Sequence, residues 1–263
     1  MVNLRTETDL YGYSSWLAKH LNVENKKAQY NWQHMWIWWN IETEDILWAL
    51  DPNCLRLGVL SQDEHTSSVV SKFTEAIPVG LPFLNFNDNH PIAVKRTDKT
   101  LYVSLHSTAW RDVSSHTKQA IKDFTKDNDV TVLLSVKDRH LAKELGVPYE
   151  LGADTLDADS FYRIQRIFHQ YEYMITDRMG SHVLYGLACG MKVGLSAPHN
   201  IDTVFSEKAI KHGLEERARS TRNINYLDQE FPGLVIEGGK PSYTCMPTLP
   251  KATPERIAEL LWS

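Results

Sequence analysis

The chain has 263 residues, of which 42% are hydrophobic and 23% charged, and a formal net charge of -5. These proportions fit a folded globular protein of one large or two small domains and exclude a disordered or collagen-like chain. The acidic balance argues against a broad nucleic-acid surface, no stretch approaches the ~20 apolar residues of a membrane span, and the start MVNLRTETDLYG lacks the pattern of a secretory signal.

In chain order, Tyr11–Leu21 reads as a helix and Tyr30–Trp39 as a strand with its following turn. Leu57–Ser61 is a short strand, Ser67–Phe73 a helix, and Ala76–Phe86 a strand and loop carrying two prolines. Polar Asn87–Asp98, with Pro91, is the expected linker. Beyond it a strand–helix rhythm sets in. Lys99–Ser104 is a strand, a helix capped by Ser114 or Ser115 runs to about Lys126, and Val130–Val136 is an apolar run of strand length, of the kind buried on both faces. His140–Leu145 is a short helix ended by Gly146, Val147–Leu151 a strand, Asp159–His169 a helix and Tyr171–Thr176 a strand. Ser181–Cys189 is a helix stopped by Gly190, and Met191–Leu195 a strand. Asn200–Phe231 is polar, with a solvated helix expected. Thr253, Pro254 and Glu255 give a helix start for the C-terminal segment.

This alternation predicts an α/β protein of two Rossmann-like domains. The first is small, over residues 1–90. The second, over residues 98–252, is a mostly parallel sheet with helices on both faces, and a docking helix follows at 253–263. Cys54, Cys189 and Cys245 are odd in number and far apart, which suggests neither a disulfide scaffold nor a cysteine-rich zinc site and fits a reducing cytoplasm. No metal-ligand spacing stands out, and no metal is expected.

Open parallel sheets bind ligands beyond the carboxyl ends of their strands. Two predicted strand ends carry suitable residues. After Lys99–Ser104 come His106, Ser107 and Thr108, hydroxyl and imidazole donors for a phosphate; a turn bonding to its own backbone is the alternative. After Tyr171–Thr176 come Asp177, Arg178, Gly180, Ser181 and His182. There Gly180 allows a close backbone approach, and the helix amino end favours an anion. Simple capping of that helix by Ser181 or Asp177 is the alternative.

The run from Tyr173 to Val193, YMITDRMGSHVLYGLACGMKV, resembles the donor-site strand–loop–helix–strand of GT-B glycosyltransferases of bacterial capsule and lipopolysaccharide biosynthesis. Val103–Ser107 (VSLHS) is similar to the first strand end of their second domain, with Ser107 where some members carry proline. Trp32–Trp36 (WQHMW) resembles their Gln-His-Gly-Trp segment, with Met35 in place of glycine, and Pro78–Phe83 (PVGLPF) resembles the strand end before their linker. The resemblance implies a cytoplasmic, metal-independent glycosyltransferase needing no cofactor, because the nucleotide-sugar donor is itself a substrate. It implies donor binding by the second domain, at His106, Ser107, Thr108, Asp177, Arg178, Gly180, Ser181 and His182. The acceptor is a glycan or lipid-linked sugar facing the first domain, with peripheral contact with the inner membrane as a corollary, and no nucleic acid is expected as a partner.

An inverting transfer needs a base, for which His34, Asp63, Glu64 and His65 are the candidates. A retaining one does not. Capping of the following helix by Ser61 and Asp63 is the other reading of that stretch. Eight tryptophans, five of them between Trp32 and Trp48, fit core packing, sugar stacking or contact with a membrane interface. A non-catalytic nucleotide- or glycan-binding module of a polysaccharide assembly complex, and a nucleotide-sugar epimerase, are the alternatives to transfer.

Overall fold

The computed structural model describes residues 10–26, 28–33, 36–37, 57–104, 107, 113, 115–154, 156–196, 227 and 229–262. They form an α/β protein with two parallel sheets flanked by helices, one of three strands and one of six. The chain divides into two compact units. The first comprises Met1–Ile92, Leu156–Phe161 and Pro247–Ser263, and the second Ala93–Thr155 and Tyr162–Met246.

In the first unit a single 3-10 turn, Leu10–Gly12, leads into α1 (Tyr13–Leu21). β1 (Asn31–Trp32), β2 (Val59–Ser61) and β3 (Ala76–Pro78) lie side by side, all parallel. α2 (Glu64–Val70) connects β2 to β3, and α3 (Pro82–Asn89) follows β3. The core is aromatic. Phe161 stacks on Tyr13 at 6.4 Å, meets Phe83 edge-on at 5.4 Å and lies 5.6 Å from Phe86. All four are fully buried, worth roughly 1.5–3 kcal/mol for each phenylalanine. Gly12 makes this assembly possible: its φ is +79°, and a Cβ there would sit 2.1 Å from the carbonyl oxygen of Ala158. The C-terminal helix, Pro254–Trp262, starts as its sequence predicts, with Thr253 Oγ1 accepting from the Arg256 N–H at 3.3 Å.

The second unit continues with β4 (Thr97–Val103), α4 (Ser115–Asp127), β5 (Thr131–Leu134), α5 (Leu141–Leu145) and β6 (Tyr149–Leu151). α6 (Ser160–Gln170), whose first two residues belong to the first unit, then leads to β7 (Tyr171–Thr176), α7 (Ser181–Ala188), β8 (Lys192–Ser196) and β9 (Val235–Ile236). The strand order is β6-β5-β4-β7-β8-β9, and every pairing is parallel.

Several expectations shift. The loop predicted after the β3 segment is helix α3, which runs into the predicted linker. Pro82 occupies its first turn, where a missing N–H costs nothing, and Phe83, Leu84 and Phe86 are buried. α2 begins at Glu64 rather than Ser67, because Asp63 caps it. Of the strand predicted over Tyr30–Trp39, only Asn31–Trp32 is a strand among the described residues. β5 is shorter than its apolar run. Val132 and Leu134 are buried while Thr131 and Leu133 are only partly covered, so it alternates instead of being buried on both faces. β9 gave no sequence signal: two residues are too few to show a period.

Arg96, one residue before β4, ties two helix ends to the sheet. Its Nε donates to the His169 carbonyl near the end of α6, and its terminal nitrogens donate to the Cys189 and Gly190 carbonyls after α7. Burial pushes the Cys189 thiol up to about 12, so it stays protonated and inert. Burial, with Arg96 close by, also holds His169 below its ordinary value.

Arg96→Met is expected to cost about 1–3 kcal/mol in denaturant unfolding, and an unchanged midpoint would remove Arg96 from this role. Because folded His169 binds its proton less readily than the unfolded chain does, stability should fall as pH drops below the ordinary value of 6.5. His169→Gln should flatten that slope.

Candidate functional site

The six-stranded sheet turns in opposite directions on either side of β4 and β7. From β4 the chain crosses to β5, and from β7 to β8, so the strand order reverses between them. A reversal of this kind is where open α/β sheets bind ligands, beyond the carboxyl ends of their strands. Val103 and Thr176 are the last residues of the two strands and lie in register. The next pair, Ser104 and Asp177, meets just beyond them, with Ser104 Oγ donating to Asp177 Oδ2 at 2.7 Å. The other Asp177 oxygen accepts from Arg178 Nε at 3.3 Å. Burial, helped by the nearby Asp177 charge, keeps the Tyr102 phenol above its ordinary pKa, so it is a neutral neighbour.

The loop from β7 to α7 is wound tightly around one histidine. His182 Nε2 lies 2.8 Å from Thr176 Oγ1 and 3.1 Å from the Arg178 carbonyl, and Thr176 Oγ1 also donates to that carbonyl at 3.0 Å. Gly180 is the N-cap of α7, with no side-chain cap bond, so neither Ser181 nor Asp177 is the cap. Its backbone is fully extended, φ 171°, and any residue adopts that. What it supplies is space, since a Cβ there would press within 3.1 Å of the His182 ring. Ser181 and His182 form the first turn of α7, where N–H groups lack intrahelical carbonyl partners and the helix dipole is positive. Asp177, Arg178, Gly180, Ser181 and His182 therefore lie together between the end of β7 and the first turn of α7.

On the β4 side, Ser107 is buried. Its N–H donates to Asp138 Oδ2 at 2.7 Å and its Oγ accepts from the Val113 N–H at 2.9 Å, so it ties the loop after β4 to the turn after β5. His106 and Thr108 lie outside the described residues. Sequence reading passed over Ser104, Thr176 and Asp138. The signal for Ser104 was its position as the first residue past a strand, which gains meaning only once β4 and β7 are known to be neighbours.

At the carboxyl edge of the small sheet, Gln33 follows β1 and Gln62 follows β2. Gln33 Nε2 donates to Gln62 Oε1 at 3.2 Å, and the Gln62 N–H donates back to Gln33 Oε1 at 3.2 Å. Gln62 also brackets Ile37, accepting its N–H at 2.7 Å and donating to its carbonyl at 2.8 Å. Asp63 caps α2, with Oδ1 accepting from the Thr66 N–H and Oδ2 from Gln62 Nε2, each at 2.7 Å. Glu64 and His65 are exposed in the first turn of α2. His34 lies outside the described residues, as do Trp38, Trp39 and Trp48. Trp32 and Trp36 are buried, and Trp32 Nε1 donates to the Gly80 carbonyl at 2.8 Å, so these two tryptophans pack the core.

Among the described residues no group of three histidines, cysteines or acids is placed to hold a metal ion, and no helix is long and apolar enough to cross a membrane. Asp63→Ala is expected to cost about 0.5–2 kcal/mol through loss of the cap, and Asp63→Asn much less. Equal losses in thermal unfolding would show that the charge, not the cap, matters.

No known protein family matches the sequence, and no curated protein does. The chain is assigned by its architecture alone, a Rossmannoid α/β fold compatible with nucleotide-binding enzymes in general.

Proposed function

We propose that this protein is a glycosyltransferase of the GT-B kind. In this reading it moves a sugar from a nucleotide-sugar donor to a glycan or lipid-linked acceptor in bacterial surface-polysaccharide synthesis, without a metal, in the cytoplasm or at the inner-membrane periphery. The supporting observation is the convergence of Arg178, Gly180, Ser181 and His182 at the carboxyl edge where the β4–β7 order reverses. A diphosphate leaving group gains negative charge as the glycosidic bond breaks, and a helix amino end with an arginine beside it offsets that charge. His106, Ser107 and Thr108 are proposed as further donor contacts. His34, Asp63 and Glu64 are the proposed sources of a base for an inverting transfer.

A second reading has its own observation. Asp63 is committed to the Gln62 amide and the Thr66 N–H and Glu64 faces solvent, so neither stands as an oriented base would, and this favours a nucleotide-binding module that performs no transfer.

Thermal shift with UDP, CMP, GDP and their sugars separates these readings from an empty fold. A ligand at a hundredfold excess over its Kd stabilises by about 2.7 kcal/mol, so one nucleotide should raise the melting temperature by several degrees. Arg178→Gln and Ser181→Ala should reduce that shift. No response to any nucleotide overturns both readings. A response without release of nucleotide from the sugar donor, tested with glycan and lipid-linked acceptors, leaves the binding module.

A further inference from the structure

We infer that Ser104 and Asp177 are positioning residues, which together hold the Arg178 guanidinium in one orientation for the diphosphate of the donor. The inference rests on the diphosphate reading above and adds Ser104, to which that reading gives no role.

Arg178 is fixed twice. Thr176 holds its backbone, Oγ1 accepting the Arg178 N–H at 3.3 Å and donating to the Arg178 carbonyl at 3.0 Å. Asp177 holds its side chain, Oδ1 accepting from Nε at 3.3 Å. Successive side chains of a strand point to opposite faces, so these two neighbours meet only because the chain winds up on leaving β7. The carboxylate is held in turn, because the buried Ser104 hydroxyl donates to Oδ2 at 2.7 Å from just past β4. The Tyr102 phenol is within hydrogen-bonding reach of the same Ser104 and Asp177 side chains. Both members of the ion pair are largely covered, with 17% of the Arg178 and 16% of the Asp177 side chain exposed. A guanidinium is planar and rigid, so fixing Nε fixes the plane of both terminal nitrogens. Those nitrogens have no hydrogen-bond partner among the described residues and keep contact with solvent.

Charge alone does not account for Asp177. A carboxylate beside an anion site repels the anion and cancels much of the attraction of the arginine. An unpaired arginine would draw a phosphate more strongly, but from many directions, and would lose more rotamer freedom on binding it. With Nε occupied, the two terminal nitrogens remain as a fork of set direction, which suits two oxygens of one phosphate. The arrangement gives up attraction and gains orientation.

The test is titration calorimetry with UDP, GDP, UMP, GMP and CMP. Its readout is the preference for diphosphate over monophosphate, since a loosened fold weakens both alike. The parent should prefer the diphosphate about tenfold or more. Asp177→Ala should bind the diphosphate more weakly and bring the preference below about threefold, although it removes a negative charge from beside the site. Asp177→Asn keeps an acceptor for Nε and should fall between the parent and Asp177→Ala. Ser104→Ala should lose part of the preference, and Ser104→Thr, which keeps the hydroxyl, should retain it. If Asp177→Ala does not fold, the two Ser104 variants decide. Tighter diphosphate binding by Asp177→Ala, or a parental preference in Ser104→Ala, overturns the positioning role while leaving nucleotide binding intact. So does a parent without the preference, or one that binds monophosphates alone. A parent that binds no nucleotide overturns both proposals.

Discussion

The parallel pairing of β4 with β7 governs everything else at the candidate site. β4 is the first strand of its unit and β7 the fourth, yet they lie in register from Thr100 and Tyr173 to Val103 and Thr176. Parallel strands cannot be joined by a tight turn, so each must leave by a crossover. One crossover goes to either side of the junction. The Ser104–Asp177 bond then fixes the separation of the strand ends with a charge-assisted contact, largely screened from water. If that pairing slipped by one residue, Ser104 and Asp177 would face opposite sides of the sheet and could not bond.

The carboxyl edge is electrically uneven. Asp177 is neutralised locally, one oxygen by the Ser104 hydroxyl and the other by Arg178. The tight winding of the next loop, with His182 braced on Thr176 and on the Arg178 carbonyl, aims the first turn of α7 at the same place. Gly186 sets how closely α7 lies on the sheet, since a Cβ there would come within 2.7 Å of the Met174 terminal methyl on β7. A strand end, a braced histidine and a helix seated on the strand together hold the first turn of α7 at the carboxyl edge. Asp138, one strand away, holds the Ser107 N–H with Oδ2, and its Oδ1 has no hydrogen-bond partner among the described residues. Polarity of this kind orients a ligand before any shape complementarity is considered.

Much of the second unit was legible because its signals are local. Tyr171–Thr176 is an apolar run bounded by turn residues, and its limits agree with the strand that forms. Gly146 and Gly190 mark helix ends with positive φ of 65° and 76°. Asp177 to His182 stood out because a strand end, a glycine and a helix start coincide within six residues. What could not be read was whatever depends on partners distant in sequence. Asp138 and Ser107 are 31 residues apart, and nothing near Asp138 announces that its carboxylate is buried. In the first unit the signals compete. Pro82 looks like a strand breaker until the buried ring of Phe83 and its neighbours reveal a helix. Asp63 looks like an acid available for chemistry until Thr66 claims one oxygen and Gln62 the other.

The edges of the two sheets make an instructive contrast. Both carry polar side chains just past the strand ends. In the small sheet, Gln33, Gln62 and Asp63 bond chiefly to one another and to the Ile37 and Thr66 backbone, each amide meeting an acceptor and each carboxylate oxygen a donor. A network satisfied in this way is costly to open, because any ligand must replace several buried hydrogen bonds before it gains its own. It holds a framework in place. In the large sheet the polar groups are only partly matched, with a helix amino end facing outward and a carboxylate oxygen lacking a donor. A ligand arriving there completes bonds instead of breaking them. The contrast is physical: the polar groups past β1 and β2 are spent on one another, whereas past the strands of the second sheet a helix amino end and the Asp138 Oδ1 atom are not.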